Sequence, residues 1–363
     1  MNETVVDAAR LRAFVADILV AVGVEAADAA ITADVLVTAD LRGHESHGVA
    51  RLEQFYVRPL QTGEIAARAE LTVLHERAAT LALDANNGLG QPAGARAMEM
   101  CIARAREAGS CIATVRHSNH YGIAGYYAML ALPHDMIGVA CTNSAALVVP
   151  TGGRTAMLGT NPIALAAPTA RHRPFVLDMA TSVVPSGKVE VKARRGEPLP
   201  EGWAVDGEGQ PTTDARATLE RLYSGQPGGL MPLGGMEAGH KGYGLAVMVD
   251  ILCGLLAGAG AGPSVGFGAG LGQESQAANV GHICAAISLE AFGSAEAFKA
   301  SMDEYIDALH AAPRAAGSER IMVAGEPEAE RTEQRLRDGI PLHPQVAQGL
   351  QALGDEFGLA CLF

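Results

Sequence analysis

Leu11, Phe14, Val15, Ile18, Leu19 and Val22 recur at the three- and four-residue steps of one helical face, and Gly23 supplies a stop. A second helix is expected from about Ala26 to Leu41. Beyond it the pattern changes. Apolar runs at Thr80–Asp84, Cys111–Val115, Met136–Thr142, Asn161–Ala167 and Phe175–Asp178 read as strands. Gln91–Ala108 and Gly122–Leu132 between them read as helices. This alternation predicts an α/β layered core with strands buried on both faces. Glu197–Asp214 is a polar, turn-rich excursion anchored by Trp203. Gly242–Ala257 is apolar almost all round and predicts a helix inside the molecule. Gly258–Gly272 is a glycine-rich loop, either a mobile lid or a dimer contact. Val280–Ser288 then reads as a strand, Ser294–Ala311 as a helix, and Arg320–Val323 as a last strand before a helical tail. No internal repeat at a fixed period is present.

At 363 residues the chain exceeds one simple core, so two or three domains or lobes are expected. An apolar share of 48% with 18% charged residues fits a packed globular protein and not a disordered one. Forty-three glycines against 4% aromatics indicate many tight turns and close backbone approaches, as ligand-cradling loops need. The net charge of −13 argues against a nucleic-acid or anionic-membrane partner. It leaves small anionic substrates open, because local arginines and helix N-termini decide those. Six cysteines (Cys101, Cys111, Cys141, Cys253, Cys284 and Cys361) are scattered, mostly in apolar runs, with no C-x-x-C pair. Buried thiols in a cytoplasmic chain are the simplest reading. The start M-N-E-T lacks the basic and apolar regions of a secretory signal. The longest apolar run is broken by Asp250 and falls short of the ~20 residues of a membrane span.

The densest chemistry lies in Leu41–Phe55, where Arg42, His44, Ser46, His47 and Arg51 fall within ten positions and Gly43 and Gly48 break up the backbone. An imidazole exchanges protons near neutral pH, and an arginine four residues later offers a planar fork to a carboxylate. A proton donor beside a carboxylate clamp suits reduction of a 2-oxo acid; a polar turn between helices is the plain alternative.

Other motifs divide between chemistry and structure. G-L-G-Q-P-A-G (Gly88–Gly94) lies between a strand and a helix, but no acid ends the next strand to hold a ribose. It therefore reads as a glycine-rich strand-to-helix turn. His44–His47 and His117–His120 are H-x-x-H pairs open to a metal, although the zincin spacing H-E-x-x-H is missed by one residue. His117–Tyr127 enters a helix whose amides suit an anion, or whose N-cap is simply Ser118 or Asn119. Thr142–Ser144 and Gly152–Pro162 present small hydroxyls and amides at strand edges. Asp178 closes an apolar strand, where it can bond a ribose or cap the next helix. Lys241 sits between glycines at a helix start, suited to pyrophosphate or merely solvated.

Taken in order, R-G-H-E-S-H-G-V-A-R-L (Arg42–Leu52), G-T-N-P (Gly159–Pro162), V-L-D-M-A (Val176–Ala180), E-G-W-A-V-D (Glu201–Asp206), P-T-T-D (Pro211–Asp214) and H-K-G-Y-G-L-A (His240–Ala246) resemble the type-2 malate/L-lactate dehydrogenase family. That family also holds ureidoglycolate and sulfolactate dehydrogenases, diketogulonate reductases and cyclic-imine carboxylate reductases. The resemblance covers nearly the whole chain. It implies a three-layer α/β/α core with a mixed sheet, a cofactor domain that is not of the Rossmann type, a helical N-terminal lobe and a homodimer. The expected division is residues 1–75 for that lobe, 76–310 for the cofactor-binding core with an inserted substrate and dimerisation region, and 311–363 for a tail packed on the lobe. NAD or NADP is the implied cofactor, with NAD favoured, and a small carboxylate the implied substrate.

Residue by residue, the resemblance implies that His47 exchanges the proton at the substrate oxygen, with Ser46 beside it in a relay. Arg51 would hold the carboxylate and Thr160 would face the substrate. His120 resembles the base of some members and is the second catalytic candidate. Ser144, Asp178, Met179, Ala180, His240 and Lys241 resemble cofactor contacts, with His120 among them, and so does the late turn Ala324-Gly325-Glu326. Lys188 stands where the cyclic-imine reductases carry a relay aspartate, which counts against an imine substrate while keeping Lys188 among the catalytic candidates. Three functions remain to be separated: a 2-hydroxy acid dehydrogenase, a metal-dependent hydrolase using both H-x-x-H pairs, and a binding protein without catalysis.

Overall fold

The computed structural model describes residues 3–266, 277–360 and 362–363. The chain opens with β1 (Thr4–Val6), α1 (Ala8–Ala21) and α2 (Ala26–Leu41). Asp7 caps α1 by accepting the Arg10 amide at 2.9 Å. Two 3₁₀ turns (Glu45–His47 and Val49–Arg51), a π-helical turn (Leu52–Val57) and α3 (Arg58–Thr62) follow. The helical spacing of Leu11, Val15, Ile18 and Leu19 buries all four in one apolar cluster with Leu36 and Val37 of α2. Ile340, Leu342, Leu350 and Leu353 from the far end of the chain complete that cluster.

The central part runs β2 (Thr72–Arg77), β3 (Thr80–Asp84), α4 (Gly90–Ala108), β4 (Ser110–Ser118), α5 (Ala124–Met129), β5 (Met136–Thr142), β6 (Ile163–Ala167) and β7 (Phe175–Met179). Then come α6 (Ser186–Arg195), β8 (Ala204–Val205), β9 (Pro211–Thr212), α7 (Ala215–Ser224), β10 (Gly229–Leu230) and α8 (Gly235–Val249). A π-helical stretch (Asp250–Leu256) leads to β11 (Val280–Ser288), α9 (Ala295–Ala311), α10 (Glu326–Asp338), β12 (Ile340–Leu342) and α11 (Pro344–Glu356).

Seven strands form one mixed sheet in the order β2-β3-β4-β11-β5-β6-β7. Only β3 and β4 pair in parallel, and every other neighbour is antiparallel. The central strand β11 is almost wholly buried. Its Cys284 and Ala286 face the α4 cluster, while Ile283 faces Val249 and Cys253 on the opposite side. Period-two alternation thus places helices on both faces of the sheet. Trp203 anchors the 197–214 excursion against the cluster that includes Leu199, Ala204 and Leu222. The five described cysteines are buried and free, and Cys361 lies outside the described residues.

Several sequence expectations are corrected. Arg320–Val323 forms no strand: Met322 is exposed and the Val323 amide is held by the Glu326 carboxylate at 2.9 Å. The last strand is β12, which pairs antiparallel with β1 at the other end of the chain. The apolar stretch 242–257 is not enclosed. Val249 and Cys253 pack inward, but Met248, Ile251, Leu255 and Leu256 lie exposed on the other face. The helix expected over Gly122–Leu132 is trimmed to Ala124–Met129. The glycine-rich loop is described only as far as Gly266, and the rest of Gly258–Gly272 lies outside the described residues. No described helix is long and apolar enough to cross a membrane.

Candidate active site

Past the end of α2, the chain turns sharply because its glycines allow it to. Gly43 takes a φ of +81°, and a Cβ on Gly48 would lie 2.0 Å from a carboxylate oxygen of Asp40. That carboxylate accepts the Val49 amide at 2.8 Å, and burial pushes its pKa up to about 7. The two 3₁₀ turns so fixed turn Ser46, His47 and Arg51 toward one cavity, which they line together with Phe55, His120, Tyr121, Ser144, Thr160 and Tyr223. Counted out to its open mouth, the cavity encloses about 1260 Å³. Apolar walls with a few convergent polar groups are the usual make-up of a small-molecule site.

Two imidazoles face each other across this space. His47 Nδ1 shares a 2.9 Å hydrogen bond with Ser46 Oγ, which leaves Nε2 to meet a ligand. The His47 and His120 rings stack with centroids 5.6 Å apart. His120 comes from the segment after β4, and its Nδ1 lies 2.6 Å from the hydroxyl of buried Tyr56. Burial drives the His47 pKa down to about 4, with the Arg51 cation and His44 adding to the effect. His120 is likewise held well below its ordinary value, by burial first and then by His47 and Arg51. Both rings are therefore neutral at pH 7.

Arg51 is tightly oriented. Its Nε donates to the Ser46 carbonyl at 2.7 Å, and its guanidinium sits 5.0 Å over the Phe55 ring. Its Nη2 approaches Glu190 of α6 at 3.3 Å. On the opposite wall, Ser144 Oγ accepts the Thr160 amide at 3.1 Å, so these two expected site residues are held as a pair. Tyr121 stands on the same wall with a buried hydroxyl that has no partner among the described residues. Its ring stacks at 4.4 Å on His282, itself fixed between Thr142 Oγ1 at 2.8 Å and Ser118 Oγ at 2.7 Å.

Other expected residues lie elsewhere. Asp178 accepts the Gly125 amide at 2.8 Å at the start of α5, an earlier helix, and does not cap the next one, α6, whose N-cap is Pro185. The late turn packs beside it: the Val176 amide donates to Ala324 at 3.0 Å, and a Cβ on Gly325 would lie 3.0 Å from Val176. Asp178, Met179, Ala180 and Gly325 are thus brought to one neighbourhood, outside the cavity wall. Asp178 there senses the charges of His44 and Arg42, while burial raises its carboxyl pKa. Arg42 Nε and His44 Nε2 are buried without partners among the described residues. Glu326 turns its carboxylate to His310 at 2.9 Å. Lys188, His240 and Lys241 are exposed and none of them lines the cavity.

The H-x-x-H pairs are split by the fold. His117 turns back onto Asp84 at 3.0 Å, whereas His120 enters the cavity. Among the described residues no group of three His, Cys, Asp or Glu side chains is placed to hold a metal ion. Gly90, in the glycine-rich turn, lies so close to the following segment that a Cβ would sit 2.2 Å from the Asn119 carbonyl oxygen. The start of α4 is covered by the chain's own backbone.

Sequence reasoning did not find Tyr56, Tyr121, Glu190, Tyr223 or His282. Tyr121 lies within the His117–Tyr127 motif without having been singled out, and the others reach the site from segments with no recognisable motif. For Glu190 the only hint was an acid about one helical turn after Gly187, two positions past Lys188.

Comparison with known proteins finds likeness over nearly the whole chain. The family model described as malate/L-lactate dehydrogenase matches residues 6–351. The malate dehydrogenase of Pyrococcus abyssi is 44% identical over 96% of this chain and 94% of its own. The L-sulfolactate dehydrogenase of Methanocaldococcus jannaschii is 38% identical over 94% of each chain. The solved structure of malate dehydrogenase from Pyrococcus horikoshii OT3 superposes with a TM-score of 0.88 at 41% identity, covering 99% of this chain and 97% of that one. With the fold, the paired imidazoles and these likenesses in agreement, the chain belongs to the malate/L-lactate dehydrogenase family.

Proposed function

We propose that this protein catalyses reversible hydride transfer between a nicotinamide cofactor and C2 of a small 2-hydroxy or 2-oxo carboxylic acid, malate- or lactate-like. The observation that carries the reading is the convergence of His47, His120 and Arg51 on one cavity. The end of Arg51 binds the carboxylate and so orients C2. In oxidation, neutral His47 takes the hydroxyl proton on Nε2 while Ser46 steadies the ring through Nδ1. In reduction the imidazole returns that proton to the carbonyl oxygen; the carboxylate on Arg51 offsets the smaller, cationic part of the depression of His47, whose larger cause is burial. His120, fixed by Tyr56, walls the opposite side and is the second candidate for this exchange.

The cofactor, when bound, supplies or takes up the hydride. Residues free to hold it are present: the unpartnered Tyr121 hydroxyl on the cavity wall, and Arg42 Nε with His44 Nε2 in the neighbourhood of Asp178 and Gly325. The cavity is lined both by Ser46, His47 and Arg51 and, across from them, by Ser144, Thr160 and Tyr121, which suits an acid and a nicotinamide side by side. The binding mode we infer is not of the Rossmann type, because Asn119 backbone occupies the start of α4, where a dinucleotide phosphate would lie. NAD is favoured over NADP. The exposed Met248, Ile251, Leu255 and Leu256 form an apolar face suited to a homodimer contact. The exposed position of Lys188, away from the cavity, gives no support to an imine-reducing relay there.

The test is an absorbance assay at the nicotinamide band with NAD and NADP against a panel of 2-oxo and 2-hydroxy acids, beside a fluorescence titration of NADH. Turnover of at least one acid is expected. Binding of NADH without turnover of any acid would refute the assignment.

A further inference from the structure

Arg51 offers five N–H donors, and the fold has already committed one edge of it. Nε is bound to the Ser46 carbonyl at 2.7 Å, and Nη2 lies 3.3 and 3.4 Å from the two oxygens of Glu190. Glu190 in turn accepts the hydroxyl of Tyr223, from α7. Nη1 has no protein partner among the described residues. Gly187 makes this approach possible, since a Cβ there would lie 2.7 Å from Ser46 Cβ and 3.4 Å from Arg51 Nη2. Glu190 is not on the cavity wall, whereas Arg51 and Tyr223 are. The acid therefore grips the guanidinium from behind. Both members of the pair are mostly buried, with side-chain exposures of 14% and 20%, so the contact is not a loose surface bridge.

We propose that Glu190, held by Tyr223, is the positioning residue of the carboxylate clamp: it fixes the inner edge of Arg51 so that the Nη1 end is presented to the substrate. This rests on the reading of Arg51 as that clamp. A long arginine side chain loses much rotamer freedom when it binds, and a clamp oriented beforehand avoids that loss at the moment of binding. The proposal differs from a simple strut between α6 and the 3₁₀ turns, because a strut would affect stability without singling out the acid.

The experiment uses the full chain at saturating cofactor with whichever acid it turns over best, and the variants E190A, E190Q, Y223F, R51M and R51M/E190A. E190A is expected to raise KM for the acid by about tenfold or more, as loss of a charge-assisted hydrogen bond does. The NADH dissociation constant should stay where it was. E190Q keeps an oxygen for Nη2 and should bring KM back to within about threefold of the parent, while Y223F should raise it by a few fold. In the R51M background, E190A should add nothing further. An unchanged KM in E190A, equal effects of E190A and E190Q, or a full E190A effect persisting without Arg51 would each overturn the proposal. If R51M itself leaves KM unchanged, the clamp reading has failed. If R51M raises KM and E190A does not, only the positioning role has. Should E190A not fold, Y223F decides, since it deletes a single oxygen.

Discussion

Replacing His47 by asparagine removes the proton-exchanging group and keeps a polar side chain of similar bulk beside Ser46. A positioned acid or base contributes about 10²–10⁴-fold, so turnover should fall by roughly 3–5 kcal/mol of transition-state stabilisation. The same substitution has a thermodynamic signature. Histidine in the unfolded chain titrates near 6.5, while burial and Arg51 hold folded His47 at about 4. Between those values the unfolded state binds more protons, so the His47 contribution to stability is intact above pH 6.5 and declines as pH falls toward 4. At about 1.36 kcal/mol for each tenfold, the full interval amounts to roughly 3.4 kcal/mol, and because the ring is only half-buried this is a ceiling. Urea unfolding at pH 7.5 and pH 4.5 should show the parent losing about 2 kcal/mol more than His47→Asn on acidification. In the kinetics of oxidation, kcat/KM of the parent should stay level from neutral pH down to about 5 and drop below about 4 as the imidazole charges. A variant with more than a tenth of the parental turnover, or with an unaltered acid response of stability, would refute the reasoning.

Three further outcomes are expected. Gly90→Ala forces a methyl against the Asn119 carbonyl and should lower stability by about 1–3 kcal/mol in urea unfolding, with loss of activity as His120 is displaced. His282→Leu leaves the buried Ser118 hydroxyl without its imidazole and removes the ring under Tyr121; a loss of about 1–3 kcal/mol in thermal or urea unfolding is expected. Leu255→Glu with Leu256→Glu places two charges on the exposed apolar face; if that face is the proposed homodimer contact, light scattering is expected to report a dimer for the parent and a monomer for the variant.

The sequence was most legible where periodicity was strong. The face of α1 and the apolar runs that became β3, β5 and β6 follow directly from burial on one or both sides. β2 escaped because it is an exposed edge strand whose six residues carry no buried alternation. The apolar run at 242–257 misled because hydrophobicity on every side looks the same whether the outer face meets the core or another surface. At the site, the motif Arg42–Arg51 was readable as chemistry, since its histidines and arginine are crowded into one short stretch. What holds them was not. Tyr56 lies in a π-helical turn, and Glu190 and Tyr223 come from α6 and α7, more than a hundred residues away. The Asp178 neighbourhood shows the same limit, because its companions on the late turn are assembled only by the pairing of Val176 with Ala324.

The position of β11 has consequences for how the protein is made. It lies between β4 and β5, yet follows β5 by well over a hundred residues. Until the ribosome has passed Ser288, the emerging chain holds two partial sheets with open, strongly apolar rims that could join each other directly or recruit another nascent chain. Closure depends on a late, long-range insertion, which slows maturation and makes chains truncated before Val280 prone to aggregation. Because that strand also brings in His282, the floor beneath Tyr121 is completed in the same event that closes the sheet.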